Sequence, residues 1–289
     1  MVTAATRNTA NARVGAAPLT RAILLGLVAV VTALFLVAPL AVIFVTAFSA
    51  GWSGFARNLS DPATLHAIGL TVLAALVVVP INIGFGLAAA WTVTKFSFPG
   101  RTLLIALIEL PYSVSPIVAG VAYLFVYGSQ GLLGPLLEQL DVKVMFALPA
   151  IFLASLFVTA PFVARELIPL MQVQGTDHEE AAVTLGASGF QTFLRVTLPN
   201  VRWAVVYGAI LCNARVMGEF GAVSVVSGNV RGVTTTLPLQ IELLYQDYNT
   251  AGAFTAALVL ASVALLTVIV KAVVERFATV DGKGINASA

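Results

Sequence analysis

Charge is what this sequence has least of. Of its 289 residues 10% are charged and 59% are hydrophobic, whereas a soluble domain carries about 25% charged residues. A folded core of this size does not require so few charges, so apolar surface must face lipid. Cysteine is nearly absent as well. Cys212 stands alone in an apolar run, which excludes an intramolecular disulfide and a cysteine-based metal site. It reads as a small buried or lipid-facing side chain. No G-x4-G-K-[ST] string is present to cradle nucleotide phosphates. No nucleophile, base and metal set stands out, so neither a catalytic residue nor a cofactor nor a metal is assigned. The net charge of +2 says little by itself, and no nucleic-acid partner is expected.

What is present is long apolar runs. A bilayer core needs about 20 apolar residues in a helix. Six segments qualify: 22–48, 67–94, 102–128, 144–164, 203–228 and 251–270. The first has 27 residues without a charge. That is too long for the apolar core of a signal peptide, so it reads as a retained membrane helix. Runs this long and uniform suit helices rather than barrel strands, and only those two satisfy every backbone group in lipid. The fold class is therefore an all-α membrane protein with six transmembrane helices.

Lysine and arginine placement orients the spans. One set of flanks carries 11 of the 15 basic residues, the other carries Arg57, Lys143 and Arg231, and Arg215 lies within a span. Both termini and the loop at 175–200 are thus expected in the cytoplasm. The stretches 49–66, 129–143 and 229–250 are expected outside. His66 and His178 then fall on opposite sides of the membrane and cannot share a metal or a proton relay. Residues 1–20 and 278–289 read as loose cytoplasmic tails around a transmembrane domain at 21–277.

The loop at 175–200 is the one polar island between long apolar segments. The fourth span is expected to continue as a helix to about Gln174, with Gly175 at its end. Thr176 and Glu179 are spaced as a capping box, with Asp177 and Glu180 as a second register. A short helix over 177–185 would break at Gly186. Ser188 would cap another, which Pro199 would help to close. Glu179 and Glu180 place negative charge at a helix start, where the dipole favours it. Either could meet a basic residue of a partner.

Within this loop Glu180, Ala181 and Ala182 are followed by Gly186, Val196, Leu198 and Pro199. The spacing resembles the E-A-A-x3-G-x9-I-x-L-P loop of ATP-binding-cassette (ABC) importer permeases, with Val196 in place of isoleucine. The strings Leu110–Gly128, Asn213–Gly228 and Thr236–Ala257 together look like the sulfate and molybdate group of that family, and the last of them looks most like the W-type subunit of sulfate/thiosulfate importers. The resemblance spans about residues 20–277. It implies a type I ABC importer permease fold in the bacterial inner membrane, with Glu179, Glu180, Ala181, Ala182, Gly186, Leu198 and Pro199 in an ATPase-coupling (EAA) loop. It also implies partners: two ABC ATPase subunits, a second permease that is similar but not identical, an external sulfate-binding protein, and membrane lipid. A molybdate or tungstate permease is the alternative within the family. An ion-coupled secondary anion transporter is the alternative outside it, but it would have no use for a docking loop.

Charges inside spans are costly and usually paired or functional. Arg215 and Glu219 are four residues apart, on one helix face. They read either as a structural ion pair or as a lining of the translocation path. Gly218 and Gly221 beside them allow close helix packing, including across a dimer seam. Glu109, Ser113 and Ser115 cluster with Pro111 and Pro116 in the third span, where two prolines should break or kink the helix. That region is a candidate pore wall or a simple packing kink. Pro80 and Asn82 carry a weaker form of the same signal.

Overall fold

A computed structural model describes residues 18–286 of the chain. Among them there are helices and connecting turns and no strand. The first apolar run forms α1 (Pro18–Thr32) and α2 (Ala38–Ala47), joined by a π-helical turn over Ala33–Val37. A short α3 (Gly51–Leu59) precedes α4 (Pro62–Lys95). Asp61 caps α4 by accepting from the Thr64 amide at 3.0 Å, and Pro62 costs nothing at its start, where the missing N–H had no intrahelical partner. Pro80 does not break α4, which runs unbroken for 34 residues.

The third apolar run does break. α5 (Arg101–Ser113) and α6 (Pro116–Tyr127) meet at 108°. Val114 is extended, Ser115 takes ψ 131° as the residue directly before a proline prefers, and Pro116 opens the new helix. After a short α7 (Gly134–Gln139) comes α8 (Leu148–Gln174), which ends at the residue the sequence suggests. Next are α9 (Asp177–Thr184), α10 (Gly189–Thr192) and a π-helical turn over Phe193–Thr197 that runs into α11 (Leu198–Met217). α12 (Gly221–Val226), α13 (Leu237–Gln246) and α14 (Thr250–Asn286) complete the chain.

Among the described residues four helices are long and apolar enough to cross a membrane, and the bent α5–α6 pair makes five. The expected fifth span, 203–228, is not one helix. It stops at Met217 and restarts at Gly221 as a six-residue helix. At the other end α14 continues to Asn286, so the stretch 278–286 is helical where a loose tail was expected. The three segments expected as external loops each contain a short helix, α3, α7 and α13.

The core lies where α4, α8 and α11 meet. It is built from small and branched side chains, among them Ala75, Val78, Ala90, Val163, Ala164 and Val201. Small residues let helix backbones approach closely in lipid, where no hydrophobic gradient drives helices together. A Cβ on Gly86 would stand 2.6 Å from that of Val163. One polar node is buried there: Asn82 of α4 donates to the Thr159 hydroxyl of α8 at 2.7 Å and faces the Cys212 sulfur of α11 at 3.6 Å. Cys212 is buried, as one of its two readings had it. α6 packs across α12, and α14 runs along α2, α3, α11 and α13. The outward faces of α1 and α2 are apolar and exposed, as lipid-facing helices are.

Candidate functional site

The polar island folds into a compact knob between α8 and α11. α9 ends in a complete Schellman motif: the Ala187 amide donates to the Ala182 carbonyl at 3.0 Å and the Gly186 amide to the Val183 carbonyl at 2.9 Å. Gly186 takes φ +90°, which a side chain would strain. The chain then turns into α10, where Ser188 and Gln191 form a reciprocal capping box.

Neither capping box expected at α9 forms. The Thr176 hydroxyl donates to Glu180 Oε1 at 2.6 Å, and Glu179 turns to Lys95 of α4 at 2.9 Å. Thr197 also donates to Glu179 Oε1, at 3.0 Å. Burial alone would raise the Glu179 carboxyl, but the bonds from Lys95, from its own backbone amide and from Thr197, with the Lys95 charge, hold it below the usual range.

Pro199 does not close the second short helix. It sits in the first turn of α11, and the widened turn before it is the reason. The Leu198 amide reaches back five residues to the Phe193 carbonyl. That wider loop accommodates the proline ring and the carbonyl that would otherwise accept its missing N–H. The same device precedes Pro39, where the Ala38 amide bonds the Ala33 carbonyl.

The knob presents Ala181, Val183, Leu185 and Phe190 to solvent, Leu185 at 88% exposure. Ala182 and Leu198 are half-buried, and Glu180 and Pro199 are exposed. Beneath the knob, a cavity of about 530 Å³ opens between Trp91 and Lys95 of α4 and Glu179, Val183 and Thr192.

The intramembrane charges form a second constellation. Arg215 Nη1 lies 2.7 Å from Glu219 Oε2, with the glutamate side chain 1% exposed and the arginine 31%. Glu219 Oε1 accepts from the Ala222 amide at 2.9 Å, so one carboxylate pairs the end of α11 and caps α12. Gly221 serves packing within the chain: a Cβ there would stand 2.9 Å from the Pro116 side chain of α6. Glu109, Ser113 and Ser115 are exposed around the α5–α6 break. Among the described residues no hydrogen bond or ion pair joins them to Arg215 or Glu219. Beside the break, the Arg165 guanidinium of α8 stacks on the Tyr112 ring at 4.1 Å. Sequence reasoning missed this contact and the Lys95 pair. Lys95 is one of the eleven basic residues on the flanks expected in the cytoplasm, and its distance in sequence from Glu179 carries no signal of contact. Among the described residues no group of three His, Cys, Asp or Glu could hold a metal.

Apolar helices around a small-residue core, with an exposed two-helix knob set between two of the long ones, describe a membrane protein, and its family makes it a transporter's membrane subunit. The chain belongs to the family described as binding-protein-dependent transport system inner membrane component, which it matches over residues 82–279. It is 54% identical over 252 residues to the sulfate transport system permease protein CysW of Escherichia coli K12, covering 87% of each chain. It is 50% identical over 252 residues to the protein of the same name from Synechococcus elongatus, covering 87% of this chain and 88% of that one. Its fold matches that of a bacterial alginate ABC transporter crystallised in complex with alginate pentasaccharide-bound periplasmic protein. The TM-score is 0.72 at 18% identity, covering 88% of this chain and 92% of that one.

Proposed function

We propose that the chain is the permease subunit of an ATP-driven importer for sulfate or thiosulfate, and forms half of the translocation pore. The observation that carries the substrate is the 54% identity to a sulfate transport system permease over nearly all of both chains. Two ATPase subunits bind the Glu179–Pro199 knobs of this chain and of a similar but non-identical second permease. An external binding protein delivers the anion. ATP-driven closure of the motor pushes the knob and the helices attached to it, the pore opens outward, and hydrolysis returns it to release the anion inside. Two features support a mechanical role for the knob. It is stiffened at both helix ends by its Schellman motif and capping box, and its outer surface is small and apolar around Ala181, Val183 and Leu185.

The test is copurification and uptake in the assembled transporter. The native chain is expected to bring down an ATPase and to support ATP-dependent uptake of labelled sulfate. Glu180→Lys or Gly186→Asp should abolish uptake while the chain stays in the membrane. Normal ATPase binding and uptake in both variants would remove the coupling assignment. Uptake of molybdate in preference to sulfate, or uptake without ATP, would replace the substrate or the class.

A further inference from the structure

Lys95 is the last residue of α4, and its ammonium leaves that helix for the α8–α9 junction. It donates to the carbonyl of Gly175, just past the end of α8, and pairs with Glu179 of α9 at 2.9 Å. Thr197, in the turn that runs into α11, donates to the same Glu179 oxygen at 3.0 Å. The Lys95 ammonium and the Glu179 carboxylate together thus gather the ends of three long helices. The Lys95 and Glu179 side chains are 7% and 17% exposed, so salt screens the pair little.

The connectivity gives this contact a purpose. α8 and α11 are covalently continuous with the knob, so a push on α9 reaches them through the backbone. α4 has no such link, although it packs along both of them through the core. Its aromatic contact with this region is Trp91 against Phe193, with ring centroids 5.0 Å apart. Such a ring contact is soft and can slide. A charge-assisted pair holds its partners at a set distance.

We propose that Lys95 is a positioning residue for transport, which fastens α9 to the end of α4 so that displacement of the knob moves α4 together with α8 and α11. The proposal rests on the reading of the knob as the ATPase docking part. It assigns Glu179 inward, to this chain's own lysine, and leaves Glu180 as the acidic side chain on the outer surface.

The experiment uses the complete transporter, with its ATPase and binding protein, in proteoliposomes. Lys95→Met should stay in the membrane, bring down the ATPase and hydrolyse ATP. Labelled sulfate uptake per ATP hydrolysed should fall at least about fivefold, the lower end of couplings between sites. Lys95→Arg, which keeps charge and donors, should retain most of that ratio. The exchange Lys95→Glu with Glu179→Lys should recover part of it, since a carboxylate at 95 repels the Gly175 carbonyl. Native uptake per ATP in Lys95→Met overturns the proposal, as do equal losses in the Met and Arg variants. Loss of the Met variant from the membrane, or of the ATPase from it, would make the pair merely structural and overturns it too. A native complex that brings down no ATPase would overturn the docking reading itself, and this inference with it.

Discussion

Single residues with the same sequence signal have different duties here. Glu179 and Glu180 are adjacent acids at one helix start. One is turned inward by Lys95 and Thr197, the other is held at the surface by Thr176. Nothing local separates them, because the deciding cation comes from a helix 84 residues earlier in the chain. Arg215 and Glu219 are the opposite case, since their spacing alone predicts the pair that forms. What the spacing did not reveal is that Glu219 also caps α12. That second bond determines how the pair must be tested. Arg215→Met leaves a buried carboxylate without its counter-ion and should lower membrane abundance. Adding Glu219→Gln removes the charge and keeps an acceptor for the Ala222 amide, so abundance should return towards native. If the guanidinium, 31% exposed, meets the passing anion, labelled sulfate uptake should recover less fully. Abundance and uptake both normal in Arg215→Met would end both readings of the pair.

At the scale of elements, proline acts in three ways in one chain. Within α4, Pro80 is carried by a helix packed along α8 and α11. Before α6, Pro116 helps to end one helix and start another at 108°. Before Pro39 and Pro199 the chain widens by one residue and continues. Counting prolines predicts a disturbance at each site, but packing selects its form. The α6–α12 crossing shows how tight that packing is. A Cβ on Gly221 meets the Pro116 side chain at 2.9 Å, and one on Gly120 meets the Ala222 carbonyl at 2.9 Å. Gly221→Val should therefore cost about 1–3 kcal/mol by overpacking, read as a lower thermal midpoint of the purified subunit in detergent. Gly26→Val, in open space on α1, is the control and should leave the midpoint unchanged. Equal midpoints for the two variants would show that α6 and α12 do not meet this closely.

The basic residues predict how the whole molecule is oriented in the membrane. Eleven of 15 lie on one set of flanks and three on the other. In a Cys212→Ala background, a cysteine at Leu132 or Tyr248 should be labelled by an impermeant thiol reagent from outside, and one at Gln191 should not. The reverse pattern would invert the topology and move the knob away from any cytoplasmic motor. Leu132, Tyr248 and Gln191 suit the measurement because each is exposed.

Composition and periodicity by themselves determined that this chain is helical and lives in a membrane, because a backbone in lipid has few other ways to satisfy its polar groups. The loop string, read locally, determined a two-helix knob broken at Gly186, since a left-handed turn there needs glycine. Only the tertiary structure decided which apolar runs stay whole. The run at 203–228 breaks before Gly221, where α12 packs across α6 and takes its cap from Glu219, and α14 runs on through 278–286. Only the tertiary structure, likewise, brought Lys95 to Glu179 and Arg165 to Tyr112. Apolar runs and helix caps are properties of neighbouring residues. A partner supplied by a distant helix depends on how the helices pack.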